Sequence, residues 1–249
     1  VEIGRVVAGR MTRTAVIAGV GPGLGESLAR TFAAEGCRVA LFARSAEYVE
    51  ALADDLPEPG EGLADADDIA DVEAIRDGVD AVREAFGSVD ALVNHASAAS
   101  RIGLMDTSVA EFERSWAVNG RGAFVCTQEA VGDMLETGGG TVVFTGATSA
   151  VRSLGGAIGF TAAKFAARGM AMDVAQEFGP EGIHVAHVVI DGQIDSPDVR
   201  ERDPDRDEET LLDPDEIAET YWHLVERDDV STQPFEVHLT NGPRNTEFL

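Results

Sequence analysis

The stretch Ala15–Gly36, AVIAGVGPGLGESLARTFAAEG, constrains the fold more than any other. Ala15–Ala18 is a short apolar run with β-branched members, the pattern of a buried strand. Gly19, Gly21, Gly23 and Gly25 then interrupt it. Leu24, Leu28 and Phe32 recur every four residues and share one helix face, and Gly36 stops that helix. A strand feeding a glycine turn that opens a helix aims backbone N–H groups and the positive end of a helix dipole at one point, which makes a cradle for phosphate. Glycine is needed because a Cβ would hold a pyrophosphate away from the backbone. The spacing is Gly19-x-x-x-Gly23-x-Gly25, which differs from the common G-x-G-x-x-G of dinucleotide sites.

Strand and helix signals alternate along the rest of the chain, which predicts a doubly wound parallel α/β sheet with helices on both faces. Strands are expected at Arg38–Ala43, weakly at Gly62–Ala64, and at Ala91–Val93, Thr141–Thr145, Ile183–Ile190 and Phe235–Leu239, about seven in all. Helices are expected at Ala46–Leu56, Val72–Phe86, Gly159–Phe178 and Pro214–Glu226, with one long helix over Val109–Glu136. The segment Ser196–Asp213 is acidic, contains proline and lacks periodicity. It follows a strand's C-terminal end and reads either as a mobile lid or as a solvated loop. With 249 residues, 44% of them hydrophobic, the chain suits one domain over residues 11–249. Val1–Arg10 reads as a disordered N-terminal tail or an upstream-start extension. No apolar run approaches the ~20 residues of a membrane span. No signal-peptide pattern is present, so no membrane partner is expected and the expected location is cytoplasmic.

The charge balance excludes a further class. Forty-five Asp and Glu oppose 19 Lys and Arg, a formal charge of −26, so nucleic acid is not an expected partner. The acid is dispersed, and Lys164 is the only lysine. Such a surface suits a halophilic protein, in which salt screens the self-repulsion. The alternative is an arginine-biased genome with incidental acidity. Cys37 and Cys126 lack metal-type spacing and read as small buried hydrophobes, so no metal is expected. His184 and His187 lie on one apolar strand, are taken to share a face, and read as core residues. His95 reads the same way. Asp191, at a strand's C-terminal end, is either a loop cap or a partly buried acid.

The order of motifs resembles the short-chain dehydrogenase/reductase family from Thr12 to about Leu239. The family's glycine motif matches Gly19, Gly23 and Gly25, with Leu24 between the last two. Its acidic residue beside the adenine matches Asp65. Its Asn-Asn-Ala-Gly motif appears as Asn94-His95-Ala96-Ser97. Its active-site asparagine matches Asn119, and its Pro-Gly-x-x-x-Thr motif appears as Asp191–Ser196, including Ile194. The catalytic Tyr-x-x-x-Lys appears as Phe160-Thr-Ala-Ala-Lys164, so phenylalanine stands at the tyrosine position. Thirteen residues before it stands Ala147 rather than serine, with Thr148 and Ser149 adjacent.

The resemblance implies an oxidoreductase that moves hydride between a nicotinamide cofactor and a small-molecule carbonyl compound. It also implies that the acid chemistry is altered, because a phenyl ring donates no proton. Lys164 and Asn119 are expected to hold cofactor and a proton-relaying water, and Thr148 or Ser149 the substrate. Reduction of an activated C=C bond is one alternative. A non-catalytic cofactor-binding sensor or scaffold is another. Ala43 stands where members that use NAD(H) carry an acid, and Arg44 follows, so NADP(H) is expected over NAD(H). The family associates through the helices that Val109–Glu136 and Gly159–Phe178 match. Gly120, Gly122, Ala163, Ala166 and Ala167 are expected to permit close approach in a homodimer or homotetramer.

Overall fold

The structure, a computed structural model, describes residues 12–227 and 232–241. The expected tail at Val1–Arg10 lies outside the described residues. Seven parallel strands form the main sheet: β1 (Thr14–Ala18), β2 (Arg38–Phe42), β3 (Glu61–Asp65), β4 (Ala91–Asn94), β5 (Gly140–Thr145), β6 (Ile183–Asp191) and, last in the chain, β9 (Glu236–Thr240). Their order across the sheet is β3-β2-β1-β4-β5-β6-β9. Ile17 on β1 pairs with Leu41 on one side and Val93 on the other.

Strand alternation divides the core in two. Ala15 and Ile17 face α1 (Leu24–Ala34), α2 (Ala46–Asp54) and α8 (Pro214–Val225), where Phe32 meets Trp222 edge-on with centroids 5.5 Å apart. Val16 and Ala18 face α3 (Val72–Phe86), α5 (Ala123–Thr137) and α6 (Ile158–Phe178). Both faces are covered, so the strands are apolar along their length and their sequences do not alternate.

The long helix expected over Val109–Glu136 is interrupted. It begins as α4 (Val109–Trp116), capped by a reciprocal Ser108–Glu111 box, widens into a π turn at Ala117–Gly122, and resumes as α5. Gly120 and Gly122 permit this. A Cβ on Gly120 would come within 2.9 Å of the Trp116 ring, and one on Gly122 would strike the backbone of Ile69. Ala163 and Ala167 are buried too, with Ala167 in the core under the sheet. Four of the small residues expected to admit a second subunit therefore serve packing within the chain. Outside, α5 and α6 present Phe124, Leu135, Phe165 and Met172.

Two further expectations change. His184 and His187 are three residues apart and face opposite sides of the sheet. His184 bonds the carbonyls of Leu224 and Pro234, while His187 pairs with Glu236, which also holds Arg168. The segment Ser196–Asp213 is not without regular structure. Ser196 caps α7 (Pro197–Arg202), and β7 (Gln193–Ile194) pairs in parallel with β8 (Leu211–Leu212). Val199 and Leu212 bury their side chains, and Arg200 bridges Asp195 and Glu208 on the exposed side.

Candidate active site

At the C-terminal edge of the sheet, β1 and β4 diverge in connection, and a cleft of about 580 Å³ opens there. The glycine turn forms its floor. Gly19 has φ +104° and a Cβ on it would collide with Ala96, while Gly23 caps α1 at φ +100° with Ser196 Cβ only 3.0 Å from where its own Cβ would stand. Leu24, Gly25, Ala96, Ile194 and Ser196 line the cleft beside Gly19, as the sequence leads one to expect. Arg44 lines it just past β2 and is exposed. Asp68 stands nearby, paired with Arg114 at 3.0 Å.

Asp65 departs from expectation. It is absent from the cleft lining, where Asp67 and Asp68 stand instead. Alternation along β3 puts Asp65 on the same side as Leu63, against α3, and a Cβ on Gly78 would lie 2.5 Å from its Oδ2. Burial, and secondarily Asp67, pushes its carboxyl up to about 6.

A second group of expected residues gathers at the end of β5. Lys164 is 4% exposed and donates from Nζ to the Thr145 carbonyl at 2.8 Å, and burial pulls its ammonium down to about 8. The Phe160 ring, one turn earlier on α6, lies with its centroid 5.7 Å from that nitrogen. Asn119 sits in the π turn. Its Nδ2 donates to Ala98 O and Ser115 O, and its Oδ1 is buried without a partner. Asn119, Lys164, Thr145 and Asn94 line a pocket of about 10 Å³, the scale of one water. Asn94 itself is tied to α5 through Thr127 Oγ1 at 2.9 Å. Thr148 donates its hydroxyl to Asp191 at 2.6 Å, and Arg152 holds the same carboxylate at 2.9 Å. Asp191 is therefore a partly buried carboxylate rather than a loop cap, and it is paired with an arginine. Ser149 is half-buried beside Thr148.

A family model described as short chain dehydrogenase matches residues 13–207. The chain belongs to this family. An uncharacterized short-chain type dehydrogenase/reductase of Sinorhizobium fredii is 36% identical over 180 residues, 70% of this chain and 71% of that protein. The D-threitol dehydrogenase of Mycolicibacterium smegmatis is 32% identical over 174 residues, 70% and 67% of the two chains. The solved structure of a 3-ketoacyl-(acyl-carrier-protein) reductase from Brucella melitensis, complexed with NADH, superposes with a TM-score of 0.80 at 25% identity, covering 92% of this chain and 97% of that one.

This short-chain dehydrogenase is thus an oxidoreductase. Three of its site features were not read from sequence. Arg152 pairs with Asp191 across 39 residues of chain, with no local signal. Tyr221, on α8, is fully buried and donates to Thr145 Oγ1 at 2.9 Å. His95, taken for a core residue, is half-buried, lines the cleft, and has Nδ1 3.3 Å from Thr145 Oγ1.

Proposed function

We propose that this protein is a cytoplasmic, homo-oligomeric NADP(H)-dependent oxidoreductase acting on a small carbonyl compound, adapted to high salt. The observation that carries the reading is the cleft at the strand-order switch, floored by a glycine turn with no room for a Cβ at Gly19 and little at Gly23 or Gly25, and bordered by Arg44. The N–H groups opening α1 at Leu24 and Gly25 suit a pyrophosphate. Arg44 suits a 2′-phosphate, with Asp68 already occupied by Arg114 and so less repulsive. Ala96, Ile194 and Ser196 complete the walls, and Asn94, buried behind them, ties the end of β4 to α5. When bound, the nicotinamide supplies or accepts the hydride.

The chain's own groups hold the proton path. Asn119 Oδ1 needs a donor, and the pocket it shares with Lys164 suits one water. Lys164, held near 8, carries its proton at neutral pH and loses it without extreme cost. Thr148 and Ser149 stand at the substrate oxygen's level, Thr148 with its hydrogen committed to Asp191.

Phe160 favours a second reading, reduction of a C=C bond conjugated to a ketone or thioester. The ring lies against the lysine and offers no hydroxyl for an alkoxide. A screen of carbonyl and enoyl compounds with NADPH in molar KCl separates the two. Tight NADPH binding with no turnover of either class would point to a sensor or scaffold.

A further inference from the structure

Thr145, at the end of β5, is a node. Its carbonyl receives Lys164, and its hydroxyl oxygen receives Tyr221. The phenol is fully buried and burial raises its pKa, so it stays neutral and keeps the hydrogen that it donates to Thr145 Oγ1 at 2.9 Å. Thr145 has one hydroxyl hydrogen left to give. Among the described residues, the acceptor within reach of it is His95 Nδ1 at 3.3 Å. A ring nitrogen that accepts there leaves the imidazole hydrogen on Nε2, the ring's other edge. His95 lines the cleft one strand beyond the glycine turn, beside Ala96.

We propose that His95 Nε2–H is a hydrogen-bond donor into the cleft for the substrate's carbonyl oxygen, with Thr145 and Tyr221 as positioning residues that fix its tautomer. The assignment rests on the carbonyl-oxidoreductase reading above. Burial, with Lys164 adding to it, holds the imidazole near 4, so the ring is neutral at physiological pH. A neutral imidazole polarises a carbonyl without surrendering its proton. It therefore supplies the oxygen-binding donor that the Phe160 ring lacks, while the proton itself travels by another route.

The test uses the full chain with NADPH, labelled with ¹⁵N-histidine, the His95 signals being identified by their loss in His95→Gln. The expected result is an Nε2–H ring that does not titrate between pH 5.5 and 8.5. Thr145→Val should mix the tautomers, and Thr145→Ser should restore the single form. An Nδ1–H ring in the wild type, or a midpoint near 6.5, overturns the assignment. Kinetics with a reduced carbonyl compound give a second arm. His95→Phe should lower kcat/KM by about 10²-fold, well beyond any change in NADPH Kd, and His95→Gln, which keeps a donor, should lose less. Equal kcat/KM in His95→Phe and wild type also overturns it. Failure of the wild type to bind NADPH overturns the functional reading instead, and is distinguishable because the tautomer is read independently of turnover.

Discussion

Lys164 Nζ stands 5.7 Å from the centroid of the Phe160 ring, one turn away on the same face of α6, and is anchored at 2.8 Å to the carbonyl of Thr145. The lysine is held where a hydroxyl on Phe160 would feel its charge. Phe160→Tyr adds that single oxygen, and a neighbouring ammonium lowers a phenol's pKa. General acid catalysis is typically worth ~10²–10⁴-fold. The substitution should raise NADPH-dependent carbonyl reduction toward the lower end of that range, because Ala147 still supplies no hydroxyl, and Phe160→Tyr with Ala147→Ser should exceed either alone. Steady-state kinetics check this. A wild type that is already fast, and is slowed by the tyrosine, would favour C=C reduction.

Burial of Lys164 also sets a pH dependence of stability. Its folded value is about 8 against an ordinary 10.5. Between those two values the unfolded chain keeps a proton that the folded chain has lost, so stability rises with pH there, by at most ~1.4 kcal/mol per pH unit. Below pH 8 both forms are protonated and the burial penalty is fully present. Urea midpoints at pH 8 and pH 10 should therefore show a rise in wild type that Lys164→Met flattens. Parallel curves for the two proteins would contradict it.

Arg44 is an exposed guanidinium on the cleft wall, with a neighbouring aspartate already paired to Arg114. Arg44→Ala should weaken NADPH binding by about tenfold, the scale of one charge-assisted contact. NADH binding should move less than twofold. Calorimetric titration with both cofactors decides it, and equal losses for the two would remove Arg44 from the 2′-phosphate.

A formal charge of −26 makes stability depend on salt. The screening length falls from ~30 Å at 0.01 M to ~3 Å at 1 M. The thermal midpoint should climb as KCl goes from dilute to molar. A flat or falling midpoint would mean that the acidity carries no adaptation.

On the outside of α5 and α6, Phe124 and Leu135 stand with Phe165 and Met172, each 42–50% exposed. Light scattering in molar KCl should report a homo-oligomer, and Leu135→Glu with Phe165→Glu should shift it toward monomer. A monomeric wild type would refute the association.

What the sequence determined by itself is what short-range physics fixes. An apolar run, a glycine turn and a four-residue repeat within Ala15–Gly36 dictate strand, phosphate cradle and helix, because each depends on neighbours a few residues away. The Gly19, Gly23, Gly25 spacing and the lone lysine at Lys164 also placed the cleft floor and the anchored ammonium. Asp65 failed because which side a strand-end residue faces depends on alternation through a weak strand, and one step turns a carboxylate from the cleft to the α3 face. His184 and His187 are core residues as expected, but lying three positions apart on a strand puts them on opposite faces rather than on one. The π turn that carries Asn119 needed the contacts of Gly120 with Trp116 and of Gly122 with Ile69, the latter in the turn between β3 and α3. The Thr145 node joins residues separated by 19, 50 and 76 positions. No periodicity encodes such a meeting. It arises where β4 and β5 pair, α6 crosses the sheet on one face and α8 packs on the other, and only the folded chain brings those four elements together.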